Sequence, residues 1–198
     1  LRSSSAASDV YKRQRIKRAL ELHDEIRIDH FRAFSAYWAV QAGERTAKNG
    51  KWYNGPGIEF FHGIKSAVGE STIIAEDLGV ITADVTELRE SINAPGMVIL
   101  QFAWGSDGKN PHLPHNHSEN SVCYTGTHDN ETSYGWYWNQ NDSIRKKLKN
   151  YAHVTSSNCV WDLVSCAMAS VSKTCIIPMQ DILNLGNEAR MNLSLIHI

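Results

Sequence analysis

The chain has 198 residues, a formal net charge of −1, 42% apolar residues and 21% charged residues. This composition excludes an intrinsically disordered chain, a collagen-like repeat and a coiled coil. No apolar stretch reaches the about 18 residues that a membrane-spanning helix needs. The near-neutral balance argues against a nucleic-acid partner, which demands a basic face. The length suits one domain or two small ones.

The two ends do not read like the middle. Residues 1–14, LRSSSAASDVYKRQ, carry no period, and both they and the last six, LSLIHI at 193–198, resemble translated sequencing-adaptor sequence. Both are set apart as non-native ends. Residues 15–192 then read as an internal piece of a longer protein.

Within that piece, Ile16 to Leu22 has helical spacing and Glu25 to Asp29 alternates with period two, as a strand does. The aromatic-rich stretch from Phe31 to Ala42 is compatible with helix or loop. Asn54-Gly55-Pro56-Gly57 marks a turn, and Phe60, Phe61, Ile64 and Val68 follow at helical spacing. Ser71 to Ala75 is a short, continuously apolar strand that ends at Glu76-Asp77. Thr82 is a candidate N-cap for a helix with Asp84 in its first turn. Met97 to Trp104 and Val122 to Tyr124 read as strands, the latter running into Gly126-Thr127-His128-Asp129. Asp142 to Tyr151 and Trp161 to Val171 read as helices, and Thr174 to Pro178 as a last strand.

Strands therefore alternate with helices and are apolar along their whole length. That pattern predicts an α/β fold with a parallel sheet covered by helices. Polar residues cluster just after the strands, at Asp29-His30, Glu76-Asp77, His128-Asp129 and Gln180-Asp181. In a TIM (β/α)8 barrel the chemistry sits at the carboxyl ends of the strands. A doubly wound sheet shares that placement, but no glycine-rich phosphate fingerprint supports it. A full barrel takes roughly 250 residues, so residues 15–192 are expected to form a partial TIM (β/α)8 barrel lacking its early strands.

Three carboxylates, Asp29, Glu76 and Asp129, each end a predicted strand. Glycoside chemistry uses one carboxyl group as nucleophile and another as proton donor. Arg27, two residues before Asp29 and so on the same side of the strand, supplies the positive partner that suits a nucleophile. Glu76 follows Ile73-Ile74-Ala75, an apolar setting that suits a general acid. Taken singly, Asp29 with Arg27 reads first as a structural ion pair, and Glu76 and Asp129 read also as a solvated carboxylate and a turn cap.

Read together, the blocks Arg-Ile-Asp-His-Phe-Arg at 27–32, Ile-Ile-Ala-Glu-Asp-Leu-Gly-Val-Ile-Thr at 73–82, Asn-Pro-His-Leu-Pro-His-Asn-His at 110–117, Tyr-Thr-Gly-Thr-His-Asp-Asn-Glu-Thr at 124–132 and Ile-Ile-Pro-Met-Gln-Asp at 176–181 resemble the 4-α-glucanotransferases, or amylomaltases, in particular their plant plastid branch. Ala33 departs from the glycine usual in that family after His-Phe-Arg. The resemblance implies Asp29 as catalytic nucleophile, Glu76 as acid/base and Asp129 as transition-state stabiliser. It further implies that Arg27 orients the nucleophile and that His30 and His128 contact sugar hydroxyls. Phe102 or Trp104, at a strand end, is the first choice for a ring stacked on sugar. The implied reaction is a retaining transfer of α-1,4-glucan segments between malto-oligosaccharides, without cofactor or metal. A retaining site places its two carboxyl groups about 5–5.5 Å apart. The implied location is the plastid, and oligomeric state stays open.

Two rivals remain. His112, His115 and His117, with His128 and Asp129 downstream, have spacing that could serve zinc in a metal-dependent hydrolase. Pro111 and Pro114 argue against it, because they prevent a helix that would bring the histidines to one face. The other rival is an inactive, truncated carbohydrate-binding fragment. The cysteines 123, 159, 166 and 175 form no C-x-x-C pair and read as reduced, packed thiols.

Overall fold

The computed structural model describes residues 2–192, with side chains from residue 10 onward. The described residues divide into two compact units, one up to Gly96 and one from Met97. Among the described residues no helix is long and apolar enough to cross a membrane.

The first unit opens with α1 (Arg2–Leu22), which starts well before the helical spacing at Ile16. Strands β1 (Glu25–Ile28) and β4 (Thr72–Ala75) lie side by side and parallel, with Arg27 opposite Ile74 and Ile28 opposite Ala75. The 3-10 turn Phe31–Phe34 follows β1 and leads into a hairpin. Its strands β2 (Ala36–Ala39) and β3 (Lys51–Asn54) pair antiparallel. That hairpin replaces the helix or loop expected over Phe31 to Ala42. Gly50 makes it possible, because a Cβ there would lie 2.3 Å from the Trp38 indole nitrogen.

Helix α2 (Gly57–Val68) buries Phe60, Phe61 and Ile64, and α3 (Ala83–Ser91) buries Val85 and Leu88. These side chains pack around Phe31, Ile73 and Ala75. Phe31, Phe34, Phe60 and Phe61 form a ring cluster with centroids 5.0–5.9 Å apart, tilted to one another except for the edge-on pair Phe60–Phe61. Phe31 is two residues from Asp29, so the core pins the end of β1 directly.

The second unit is built on the three strands β5 (Gly96–Ile99), β6 (Ser121–Tyr124) and β7 (Thr174–Ile176), in that order across the sheet. β6 and β7 are parallel, with Cys123 opposite Cys175. β5 is shorter than predicted, since Leu100–Phe102 turns into a 3-10 segment. Helices α4 (Ser133–Asn139), α5 (Asp142–Ala152) and α6 (Cys159–Met168) cover the sheet, and a one-turn α7 (Met179–Ile182) follows β7. α4 is capped by the Thr132 hydroxyl and α5 by the Asn141 side chain, each taking up a free N–H of the first turn. Leu148, Leu163, Val160 and Val164 fill the core with Trp136 and Tyr137. All four cysteines are free thiols. A hydrogen bond to Cys175, together with burial, pushes the Cys123 thiol up.

Candidate active site

Asp29 and Glu76 are the residues immediately after the paired ends of β1 and β4. Neighbouring strands run about 4.8 Å apart, so the two residues leave the sheet side by side. The backbone continues the pairing past the strands. Glu76 N–H donates to the Ile28 carbonyl at 3.0 Å, and Phe31 N–H donates to the Glu76 carbonyl at 3.0 Å. Between those two bonds the chain must turn sharply, and His30 does so with a left-handed backbone, φ 50°. That conformation is uncommon for a residue with a side chain.

The turn aims the His30 N–H at Glu76, whose Oε2 accepts it at 2.7 Å. Glu76 Oε1 accepts a second peptide donor, Leu78 N–H, at 3.2 Å. Glu76 is half-buried. The apolar setting expected for it is therefore not what the fold provides, because peptide donors from both strand ends converge on the carboxylate. Sequence spacing gives no sign of this, since the closer donor lies 46 residues away on another strand. On the other side of the pair, Arg27 Nη2 donates to Asp29 Oδ1 at 2.7 Å, with the Asp29 side chain 77% exposed. Arg27, Asp29, His30 and Glu76 thus lie together in the first unit.

Phe102, His128 and Asp129 belong to the second unit. Asp129 is exposed and sits in the turn after β6. Its Oδ2 is 3.4 Å from His128 Nε2, its carbonyl accepts from Arg190 Nη2 at 2.5 Å, and its Oδ1 accepts from Asn192 Nδ2. The turn is set by Asn130, whose Oδ1 accepts from both the Thr127 N–H and the Thr127 hydroxyl at 2.8 Å.

Below the turn lies a polar network to which the sequence assigned no role. The Asp181 carboxylate, 1% exposed, accepts from the Thr125 hydroxyl at 2.6 Å and from the Ser133 N–H and hydroxyl at 2.7 Å each. Asn187 donates to Glu131 Oε1 at 2.6 Å and accepts from Thr132 N–H at 3.2 Å. Asp181 stands in the polar cluster after the last strand, which was its one signal. Its partners lie 48 and 56 residues away.

The Phe102 ring is 43% exposed and meets His112 edge-on at 5.5 Å. Trp104 does not share that role. It is 2% exposed, with its ring against Tyr151, and so is core rather than sugar platform.

Both ring nitrogens of His115 and His117, and Nδ1 of His112, bond to the protein. His112 Nδ1 accepts from Ile99 N–H at 3.1 Å. His115 Nε2 reaches the Gly108 carbonyl at 2.8 Å and Nδ1 the Tyr151 hydroxyl at 2.6 Å. His117 Nε2 reaches the His112 carbonyl at 2.9 Å and Nδ1 the Ser170 hydroxyl at 2.6 Å. Burial pushes the pKa values of His112 and His117 down. Among the described residues no group of three or more His, Cys, Asp or Glu gathers as metal ligands.

An α/β fold with two carboxylates at the carboxyl ends of adjacent parallel strands defines a class of site suited to glycoside chemistry. Comparison with known proteins gives the family. The model described as 4-alpha-glucanotransferase matches residues 7–194, and the chain belongs to that family. It is 53% identical over 182 residues to the chloroplastic/amyloplastic 4-alpha-glucanotransferase of Solanum tuberosum, covering 91% of this chain and 31% of the relative. The corresponding protein of Arabidopsis thaliana is 51% identical over 179 residues, with 90% and 31% covered. Among solved structures, amylomaltase from Streptococcus agalactiae in complex with acarbose superimposes with a TM-score of 0.87 at 36% identity, covering 92% of this chain and 37% of that one. The chain spans about a third of the length of the curated relatives it matches.

Proposed function

We propose that the chain carries the catalytic carboxylates of a 4-α-glucanotransferase built on a (β/α)8 barrel, of which residues 15–192 form a part. Asp29 attacks the anomeric carbon of an α-1,4-glucan and holds the glucan segment as an ester. Glu76 gives its proton to the departing 4-oxygen. Another glucan's 4-hydroxyl then attacks the anomeric carbon of that ester while Glu76 takes its proton and the Asp29 carboxylate leaves, and two inversions retain the α configuration. Arg27 orients Asp29, and Asp129 with His128 stabilises the flattened ring of the transition state. His30 and Phe102 contact the sugar. The substrates are malto-oligosaccharides and longer α-1,4-glucans, and the plant relatives favour the plastid as its location.

The observation that carries this reading is the register of β1 and β4, which leaves Asp29 and Glu76 adjacent with the Glu76 carboxylate bonded to the peptide that follows Asp29. Incubation with maltotriose tests it. Transfer yields glucose and maltopentaose, and Asp29→Asn yields neither. Maltose and glucose without longer products would mean hydrolysis, and no product from the unaltered chain would leave only sugar binding.

A further inference from the structure

The β2–β3 hairpin has two faces that differ in kind. Trp38 and Trp52 pair across one face with their rings edge-on at 5.4 Å. That face is braced: the Trp38 indole N–H donates to the Ala47 carbonyl at 2.8 Å, and the Arg32 guanidinium lies 4.5 Å over the Trp52 ring. On the opposite face Tyr37 and Tyr53 stack at 6.0 Å with an interplanar angle of 22°, 45% and 51% exposed. Alternation along the strands puts Lys51 on the same face. Gln41 and Asn49 complete a hollow of about 420 Å³, within the ~300–1,000 Å³ of small-ligand sites.

We infer that this tyrosine face is a binding site for α-1,4-glucan, a site additional to the carboxylate pair and resting on the transferase reading above. Two nearly parallel, half-exposed phenol rings offer their outer faces and edges as apolar area to glucose rings at little conformational cost. Gln41 and Asn49 supply both amide donors and acceptors, and Lys51 supplies donors, for the ring hydroxyls. A protein-docking face would present mainly aliphatic side chains around its rings, whereas here Ala39 and Val40 are matched by Gln41, Asn49 and Lys51. The hairpin is also tied to the reacting centre. The chain from Asp29 runs through Phe31, bonded to Glu76, and directly into β2. Arg32 locks the turn by donating to the Val80 carbonyl. A glucan seated on the tyrosines is therefore held by the same rigid segment that holds Asp29, and the hairpin favours long chains over short ones.

The test uses the whole chain with Asp29→Asn, which stops turnover and leaves the hairpin untouched. Titration with maltoheptaose, followed by amide NMR, is expected to shift residues 37, 41, 49 and 53. The further change Tyr37→Ala with Tyr53→Ala should weaken that binding about tenfold, and Tyr37→Phe with Tyr53→Phe should largely keep it, since stacking needs the ring. Dispersion of the remaining amides checks that the variants fold. Should the alanine pair unfold, the shift map of the Asp29→Asn chain decides alone. Shifts confined to residues near Asp29 and Glu76, or none, would overturn the site. Hairpin shifts that follow protein concentration instead of maltoheptaose would overturn it too and give the face to a second copy. Turnover of maltotriose by the unaltered chain without hairpin shifts rejects the hollow and spares the reaction; hairpin shifts without turnover do the reverse.

Discussion

The carboxylate of Glu76 in the first unit is held by peptide N–H groups, from His30 and Leu78, whereas the turn that carries Asp129 in the second is held by side chains, those of Asn130, Asp181, Asn187 and Glu131. The cores differ in parallel. The first closes on a cluster of phenylalanine rings directly behind Asp29, and the second on leucine and valine from α5 and α6. The difference has a physical root. Where two parallel strands end in register, their backbones already converge, and a carboxylate at the end needs no side-chain support. Where a turn must stand off a strand end, its shape has to be imposed by buried polar groups, each of which requires a partner.

The largest expected effect of a single substitution on stability is at Asp181. Asp181→Ala leaves the Thr125 hydroxyl and the Ser133 N–H and hydroxyl without their acceptor inside the protein. It should cost about 3 kcal/mol, read as a shift in the urea midpoint, with faster hydrogen exchange through residues 125–133. No exchange change over those residues would mean that side chains do not brace the Asp129 turn, and the contrast between the units would fail.

A smaller effect separates the units by pH. Burial lowers the pKa of His112, helped by the nearby charge of His117. Burial also lowers that of His117, opposed by its bond to the His112 carbonyl and aided by His115. The unfolded chain then binds protons, beginning near the ordinary histidine value of 6.5, that the folded chain refuses. Stability from these groups is complete above that value and falls as pH drops from it toward the folded values. The described histidines of the first unit, His23, His30 and His62, are exposed. Taking the protein from about pH 7.5 to about pH 5.5 should therefore lower the amide protection factors, referred to the intrinsic rate at each pH, in β6 more than in β4. Equal loss of protection in both strands would refute this account of the buried pair.

How much of this was legible in the sequence depended on where the physical cause lay. β4 and β6 announce themselves because Ile73-Ile74-Ala75 and Val122-Cys123-Tyr124 are short apolar runs buried on both faces. The β2–β3 hairpin does not, since both its faces are open and aromatic, so neither a period of two nor an apolar run marks it. α4, SYGWYWN, is hidden by its aromatics and by Gly135, and it forms because Thr132 caps it and Trp136 and Tyr137 are buried. Asp29 and Glu76 stand out as charges that terminate strands. The donors on Glu76 could not be read, because they are backbone groups of residues brought near only by register. Trp104 was misplaced for the opposite reason: the strand was expected to reach it, but Leu100 turns the chain and carries the indole into the core.

The smallest stability effect should come from Arg27→Ala, and it bears most directly on the first unit. The Arg27–Asp29 pair is short, but the Asp29 side chain is largely in water, where such pairs contribute about 0–1 kcal/mol. If strand register and the phenylalanine core hold Asp29 in place, the denaturation midpoint barely moves. On the proposed reaction, turnover of maltotriose should nevertheless fall, because the carboxylate would then be free to rotate away from the anomeric carbon. A midpoint loss well above about 1 kcal/mol would show that the first unit, too, relies on side-chain bracing.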